Sequence, residues 1–315
     1  MNDNQNNTKD PYQDMVEGKD QEIINEVKKN GLGKASMAKF KNETLDADTH
    51  IGWINLDIEL LPSNGKFYPS DASLSIRSAQ VAEIRSFSIM DENNLIDIEE
   101  NLNIIVKACT RFKSGTKMMS YKDILEEDRI FIILSIRDLT FPEPESKLML
   151  KGRDSNGEEF DVELSTKYFD TEKVPAEIEQ YYDSEKRTYQ VQTKSAGEVS
   201  IAPPTIGVME EVTKFMKMRQ KDRKTWDQSF IQLVAYLVQD WRGLNAKKIF
   251  EMEIDFQGWS ERKYMVIYRL AEKMKIGVKS NLVVDRQGEE VLVPLDFPGG
   301  IKSLFVISDL SGELL

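Results

Sequence analysis

The chain has 315 residues, with 42 Lys and Arg against 54 Asp and Glu, so its net charge at neutral pH is −12. This acidic balance argues against a protein that holds a nucleic-acid backbone, because neutralising phosphates takes clustered cations. A single Cys and a single His exclude a disulfide framework and any zinc or haem site built from these residue types alone. We therefore expect no catalytic residue, no cofactor and no metal of these kinds.

Hydropathy gives no reason to expect a membrane protein. The longest apolar stretch with helical character and no charge, residues 228–239, is shorter than the roughly 20 residues that span a bilayer. The first residues contain no apolar signal-peptide core. We expect a soluble, cytoplasmic protein with one large or two medium domains, at roughly 100 to 200 residues per domain.

The N-terminal residues, 1–48, are predicted to be a mostly disordered arm. Five of the first seven residues are Asn or Gln, and apolar residues are too sparse to offset the entropy lost on ordering. Within the arm, residues 20–29 carry Ile23, Ile24 and Val27 at helical spacing. This segment is either a transient helix in a tail or a segment that folds on a partner.

Residues 49–170 are predicted to form a first subdomain of hairpins and helices. A strand over residues 53–61 precedes Asn64-Gly65, which favours a tight turn, and Leu74 and Ile76 then alternate as in a half-buried strand. A helix follows, with a core-facing stripe at Leu102, Ile105, Val106 and Cys109. Because Cys109 lies on that stripe, a buried structural thiol is the favoured interpretation over a reactive one.

The rest of this subdomain reads as one helix and one hairpin. Ser120 and Asp123 resemble a capping box, from which a helix is predicted to run to Phe141. Residues 126–128 are three acids that we expect to stabilise the helix N-terminus; general acid–base chemistry is the alternative. A hairpin over residues 147–164 follows.

The second half is predicted in two parts, a connection with a hairpin over residues 171–205 and a helical subdomain over residues 206–315. The hairpin pairs residues 189–191 with 199–201. Two of the helices begin at capping residues, Thr225 and Ser260, and are closed by Gly243 and Gly277; the helix before them carries apolar residues at Val208, Val212, Phe215 and Met216. A hairpin over residues 282–295 ends this part.

The hairpins at residues 154–164 and 285–295 share the pattern Asp-x-x-Gly-Glu-Glu-x-x-Val-x-Leu. Each follows a long amphipathic helix. The pattern indicates either an internal duplication or the independent use of one hairpin chemistry. The first turn also resembles a fragment of a calcium loop, although a solvated turn is favoured because a third ligand and a closing Glu are missing.

The lone His50 lies beside the arm, where precise positioning for catalysis is hard to obtain, and we expect it to face solvent. The dense basic run is interpreted as solvated surface, with an electrostatic docking patch for an acidic protein as the alternative. Methionines beside this run can line an adaptable interface or pack in the core. The run consists of Lys214, Lys217, Arg219, Lys221, Arg223 and Lys224, and the methionines are Met209, Met216 and Met218.

Three strings carry a family resemblance: LPSNGKFYPSDASLSIRSAQVAEIRSFS, ENLNIIVKACTRF and EEDRIFIILSIRDLTF. Together they resemble the T-even-type bacteriophage baseplate protein family, whose members take part in building the central baseplate hub. The resemblance is best over residues 61–141 and extends to VSIAPPTIGV and GEEVLVPLDF. Some members place Cys-x-x-Cys pairs in comparable hairpins, where this chain has Asp-Ser-Asn-Gly and Asp-Arg-Gln-Gly, which argues against metal here.

The resemblance implies a structural or assembly protein of a contractile tail whose partners are hub or tail proteins, located in the virion or in the host cytoplasm during assembly. It implies neither enzyme activity nor a nucleic-acid or membrane partner. A tail-assembly chaperone absent from the mature particle is one alternative, and a carboxylate-dependent metal enzyme is another. The fold class is predicted as α+β. Candidate interface residues, with core burial as the alternative for each, are Phe67, Tyr68, Arg137, Trp241 and Trp259.

Overall fold

The structure is a computed structural model, which describes residues 52–142, 147–221, 228–286, 288–297 and 300–306. The predicted arm, His50 and Thr225 lie outside these residues. Helices and antiparallel sheets are mixed along the chain, which confirms the α+β class.

The first part of the fold combines a four-stranded sheet with three helices. The strands are β1 (Ile54–Leu56), β2 (Ala72–Ile76), β3 (Thr110–Ser114) and β4 (Lys117–Met119), adjacent in that order, and the helices are α1 (Val81–Ser88), α2 (Leu95–Cys109) and α3 (Arg129–Thr140). The predicted turn is confirmed, since Asn64 and Gly65 have φ of 50° and 71°. Leu74, Ile76 and the stripe of α2 are buried, as predicted.

The predicted helix from Ser120 to Phe141 is wrong in its first third. The reciprocal Ser120–Asp123 capping box exists, but it opens a 3-10 turn, Tyr121–Asp123, and a second 3-10 turn, Glu126–Asp128, precedes α3. Between them Leu125 is extended and forms an isolated antiparallel bridge with Thr205. This long-range pairing interrupts the helix, and no local pattern could predict it.

The middle of the chain contains the two predicted hairpins. They are β5 (Met149–Arg153) with β6 (Glu159–Glu163), and β9 (Thr188–Thr193) with β10 (Gly197–Ile201). The predicted polar connection contains short elements: β7 (Phe169–Glu172), α4 (Ala176–Glu179) and β8 (Tyr182–Asp183). Strand β8 extends the β9–β10 hairpin into a three-stranded sheet.

Four helices and a hairpin follow: α5 (Ile206–Lys221), α6 (Gln228–Leu237), α7 (Ala246–Gln257), α8 (Glu261–Lys273), β11 (Gly277–Arg286) and β12 (Glu289–Pro294). Helix α6 stops at Leu237, so its predicted extension to Gly243 is wrong, and Trp241 instead begins a 3-10 turn, Trp241–Gly243. Helix α7 was not predicted. The Asn245 side chain caps it by accepting from the Lys248 N–H at 3.1 Å.

The buried side chains form two cores. The first contains the four-stranded sheet, helices α2 and α3, the β5–β6 hairpin and the C-terminal hairpin, with Leu304 and Phe305. The second contains the β9–β10 hairpin and helices α5 to α8. Phe67 and Val174 pack against both cores. The last hairpin therefore shares its core with the first part of the chain, while the domain boundaries stay a prediction.

The two hairpins with the shared sequence pattern lie against each other. The Ser155 hydroxyl donates to the Glu289 carboxylate at 3.0 Å, and the Arg286 guanidinium lies 4.1 Å from the centre of the Phe160 ring. Their apolar faces enter the same core. Adjacency alone does not distinguish duplication from shared hairpin chemistry, and duplication stays a prediction.

Candidate functional site

The two cores are joined where the segment before α3 meets the segment before α5. Leu125 forms its bridge with Thr205, and the Ile206 N–H donates to the Ile124 carbonyl at 2.8 Å. We call residues 124–129 together with residues 204–206 the junction. It brings the three consecutive acids of the sequence into the interior of the molecule.

Asp128 is the most enclosed of these acids. Its carboxylate accepts the Ser63 N–H at 2.9 Å, the Ser63 hydroxyl at 2.7 Å and the Tyr68 hydroxyl at 2.6 Å. Burial raises the pKa of Asp128 to about 6, while the bonds from Tyr68 and Ser63 act in the opposite direction. Asp128 occupies the N-cap position of α3 but its side chain makes no cap hydrogen bond there, and stabilisation of the helix N-terminus by its charge stays a prediction. The side chain anchors the β1–β2 loop to the junction.

Arg129 organises the outer side of the junction. Its guanidinium contacts Glu99 and Glu126, each at 2.6 Å, and donates to the Asn103 amide oxygen at 2.8 Å. The residue is 7% exposed, so these partners offset the cost of removing a cation from water. One side chain thereby ties α2 to the 3-10 turn that precedes α3.

Glu126 and Glu127 have unusual proton affinities. Burial raises the pKa of Glu126 to about 7 against the opposing charge of Arg129. Burial and the neighbouring charges of Glu126 and Asp128 raise the pKa of Glu127 to about 8. Carboxylates that titrate near neutrality can exchange protons, which is the property expected of acid–base catalysts but also of buried structural networks.

A groove of about 290 Å³ between α2 and α5 lies beside this network. Glu99, Glu210 and Tyr121 are among its lining residues. Both Glu210 oxygens are engaged, one by the Tyr121 hydroxyl at 2.7 Å and the other by the Lys122 ammonium at 2.7 Å. Since Glu99 is paired with Arg129, these two carboxylates act as structural acceptors.

Phe67 belongs to a cluster around Lys66 that links the β1–β2 loop to the second core. The Lys66 ammonium lies 4.1 Å from the Tyr182 ring centre and 4.9 Å from that of Tyr189, and it pairs with Glu179. Phe67 packs edge-on against Tyr182 at 5.7 Å. Sequence reasoning found Phe67 but missed Lys66, whose partners lie more than one hundred residues away.

Trp241 contacts two other segments of the same chain, at Asp123 and Gly207. Its indole N–H donates to Asp123 at 2.8 Å, and the Arg242 guanidinium reaches the other Asp123 oxygen at 2.7 Å. The indole lies against Gly207, where a Cβ atom would come within 2.5 Å of the ring. Trp241 thus packs the second core against the 3-10 turn that precedes the junction.

Arg137 and Trp259 differ in accessibility. Arg137 is 4% exposed on α3, 5.5 Å from the Phe141 ring centre, and burial lowers the pKa of its guanidinium. Trp259 is half-buried after α7, with its indole N–H donating to Asp255 at 3.0 Å and the Lys263 ammonium 4.1 Å from its ring. Of the five candidate interface residues, Tyr68 and Arg137 are buried, whereas Phe67, Trp241 and Trp259 are half-buried.

In the hairpin turn that resembles a calcium loop, the Asp154 carboxylate is occupied by backbone N–H groups of the turn. Asp154 accepts the N–H groups of Asn156 at 3.0 Å and Glu158 at 2.8 Å. Within the described ranges, no group of three or more His, Cys, Asp and Glu side chains is arranged to hold a metal ion. Cys109 is buried, and burial raises the pKa of its thiol to about 12.

The basic run lies at the end of α5, beside an apolar surface. Lys214 pairs with Glu211, Lys217 with Glu100 and Arg219 with Glu253. Arg223 and Lys224 lie outside the described residues. Met218, next to Arg219 on α5, is exposed, and so are Phe250 and Ile254 on α7, on either side of Glu253 in the sequence; we call these three side chains the α5–α7 patch. The sequence interpretation included Met218 alone, because α7 was not predicted.

No family model, no curated protein and no solved structure matches the chain. None of the described helices combines the length and apolar character needed to cross a membrane.

Proposed function

We propose that this chain is a structural or assembly protein of a contractile phage tail, a component or assembly factor of the baseplate hub. It acts through protein–protein contacts, without turning over a substrate, in the virion or in the host cytoplasm during assembly. The resemblance over residues 61–141 supports this assignment. The engagement of the groove carboxylates and the burial of the lone thiol also favour binding over catalysis.

The α5–α7 patch is the observation that carries the proposal. Met218, Phe250 and Ile254 are 43%, 42% and 53% exposed. Phe250 and Ile254 are one helical turn apart, so they present a single face of α7. Exposed aromatic and aliphatic side chains on one helix face are typical of surfaces that bind other proteins.

The pair beneath the patch gives it a rigid base. The Arg219 guanidinium contacts Glu253 at 3.0 Å, and its centre lies 5.7 Å from the Phe250 ring. Glu253 is 2% exposed, so the pair holds α5 against α7 in a fixed register. Lys214, Lys217 and Arg219 of the neighbouring basic run are each paired with a carboxylate, so the patch is distinguished by its apolar side chains and not by positive charge. A protein with an apolar contact surface therefore fits this site.

The test is co-purification of the tagged chain with hub and tail proteins of a contractile phage. Replacing Phe250 and Ile254 by Asp should weaken binding at least tenfold, about 1.4 kcal/mol, because charge then enters the apolar contact. Met118→Asp on β4 is the matched control, since Met118 is 57% exposed and belongs to the four-stranded sheet. Circular dichroism should be unchanged in both variants.

Two further measurements separate the alternatives. Mass spectrometry of purified particles should detect the chain if it is a hub component, and a tail-assembly chaperone should be scarce or absent. A melting temperature that is the same with and without Mg²⁺, Mn²⁺ or Ca²⁺ counts against a carboxylate-dependent metal enzyme. Failure to bind any hub or tail protein, together with normal baseplates in a phage lacking the gene, would refute the proposal.

A further inference from the structure

The side of α1 that faces solvent is mostly apolar. At 3.6 residues per turn, four residues of this helix and its C-cap lie within about 100° of one another. All four are exposed, and they are Val81, Ala82, Arg85 and Ile89. The solvent side of a surface helix ordinarily carries polar and charged residues, whereas three of these four are apolar. We call Val81, Arg85 and Ile89, which follow one another at intervals of four residues, the α1 stripe.

Contacts on the other side of α1 hold the helix in this orientation. Phe87 is 1% exposed and packs edge-on against Phe305, with 5.2 Å between ring centres. Glu83 pairs with the Arg77 guanidinium at 2.8 Å. Because these contacts fix the helix, it cannot turn to bury the stripe.

The apolar side chains of this region are the most exposed of their kind among the described residues. Val81 and Ile89 are 72% and 83% exposed, and Leu95, the first residue of α2, is 77% exposed. The turn between the two helices is compact, since the Asp91 N–H donates to the Asp97 carboxylate in the first turn of α2 at 2.5 Å. An accumulation of exposed apolar side chains is typical of a surface that binds another protein.

Arg85 indicates which kind of partner fits the stripe. It lies midway between Val81 and Ile89, it is exposed, and none of the described carboxylates pairs with it. A cation inside an apolar contact is stabilised by a carboxylate opposite it. A two-fold contact between the stripes of two copies, centred on Arg85, would instead bring two guanidinium groups together. The charge therefore favours a different protein over a second copy of this chain.

We propose that the α1 stripe is a second docking surface, which binds a hub or tail protein through an apolar surface with an acidic side chain opposite Arg85. Val81 and Ile89 supply the apolar contact on either side of that ion pair. The inference rests on the proposed function for the class of partner. It goes beyond that function because α1 packs on the first core through Phe87, whereas α5 and α7 of the α5–α7 patch belong to the second core.

The test is quantitative co-purification of the tagged full-length chain with hub and tail proteins. Ile89→Asp should lower the recovery of one of the retained proteins at least tenfold, and Arg85→Glu at least fivefold, because each places negative charge against the partner. Arg85→Lys keeps the positive charge and should stay within threefold of the parent. Two matched controls should bind as the parent does: Leu292→Asp, because Leu292 is 63% exposed on β12, and Arg262→Glu, because Arg262 is an exposed cation on α8.

Three results would overturn the inference. If Ile89→Asp and Arg85→Glu retain the same proteins as well as the parent, the stripe is not a docking surface, although the proposed function stands. If the parent retains no hub or tail protein, the proposed function fails and the inference fails with it. Sedimentation velocity of the purified chain should show a monomer, and a dimer that Ile89→Asp abolishes would assign the stripe to a second copy. Circular dichroism should be the same for every variant; should Ile89→Asp not fold, the contrast between Arg85→Glu and Arg85→Lys decides the question.

Discussion

The Tyr68 hydroxyl donates a 2.6 Å hydrogen bond to the buried carboxylate of Asp128, and it accepts the Leu125 N–H at 3.0 Å. One phenol oxygen thus satisfies both an acid and a backbone donor of the junction. Burial and the nearby charge of Asp128 raise the pKa of Tyr68, so the hydroxyl keeps its proton and remains a donor. The β1–β2 loop is therefore positioned by a hydrogen bond from Tyr68 to Asp128, sixty residues further along the chain.

Replacing Tyr68 by Phe should lower the free energy of unfolding by about 1 to 3 kcal/mol, because a buried carboxylate loses a donor and a buried N–H loses its acceptor. Urea unfolding monitored by circular dichroism measures the change. Tyr181→Phe is the control, since Tyr181 is 41% exposed, and its unfolding midpoint should barely move. A midpoint for Tyr68→Phe equal to that of the control contradicts a structural role for this hydroxyl.

Much of the fold follows from local patterns in the sequence. The stripe of α2 and the positive φ of Asn64 and Gly65 depend on residues that are neighbours in the chain. The hydrophobic periodicity of the sequence therefore predicts the buried stripe of α2 correctly, and the Asn-Gly pair predicts the turn. Helix α7 was missed although the Asn245 cap and the apolar Ile249 and Phe256 are a local signal that could have identified it.

The junction could not be predicted in this way. In the sequence, three acids before an apolar helix indicate charge that stabilises the helix N-terminus. In the fold, Ser63 and Tyr68 approach Asp128, and its buried carboxylate accepts hydrogen bonds from both hydroxyls. The same holds for Lys66, whose partners Tyr182 and Tyr189 come from another sheet. Such sites depend on tertiary proximity, which periodicity does not encode.

Gly207→Ala tests the packing of Trp241 between the two cores. In a helix this change ordinarily favours folding by about 1 kcal/mol. Here the new Cβ would lie 2.5 Å from Trp241 and 2.8 Å from the Cβ of Lys122, so overpacking should dominate and destabilise the protein by about 1 to 3 kcal/mol.

Thermal unfolding and near-ultraviolet circular dichroism, which reports on indole packing, measure this effect. The matched control is Gly243→Ala, where the nearest atom to the new Cβ is the Lys248 Nζ at 3.8 Å and the backbone needs no positive φ. A Gly207→Ala variant as stable as the control would show that Trp241 moves aside at no cost.

Glu127 should make stability depend on pH. Its pKa is about 8 in the folded protein and 4.5 in the reference state, because burial, Glu126 and Asp128 outweigh Lys275 and Arg129. Between these values the folded state binds more protons than the unfolded state, so the free energy of unfolding falls as pH rises from about 4.5 to about 8. Glu127→Gln removes this contribution.

Urea unfolding of the parent and of Glu127→Gln, measured from pH 4.5 to pH 9, compares the two slopes. The difference in stability should shift steadily in favour of the variant as pH rises and level off above pH 8. Glu158→Gln is the control, because the Glu158 side chain is 74% exposed. Parallel curves for the parent and Glu127→Gln would rule out the raised pKa.

Arg129 provides a contrast between a buried and an exposed cation. Arg129→Met leaves Glu99 and Glu126 without their guanidinium partner and Asn103 without its donor, so we expect a loss of about 3 to 5 kcal/mol in the free energy of unfolding. Arg153→Met removes a pair of similar length, 2.6 Å to Glu159, in which the side chains are 67% and 63% exposed. Solvent and salt screen that pair, and its loss should cost no more than about 1 kcal/mol.

Equilibrium unfolding in urea at low and high salt measures both variants. Comparable losses would mean that water reaches Arg129 in solution and that the junction is more open than its 7% exposure indicates.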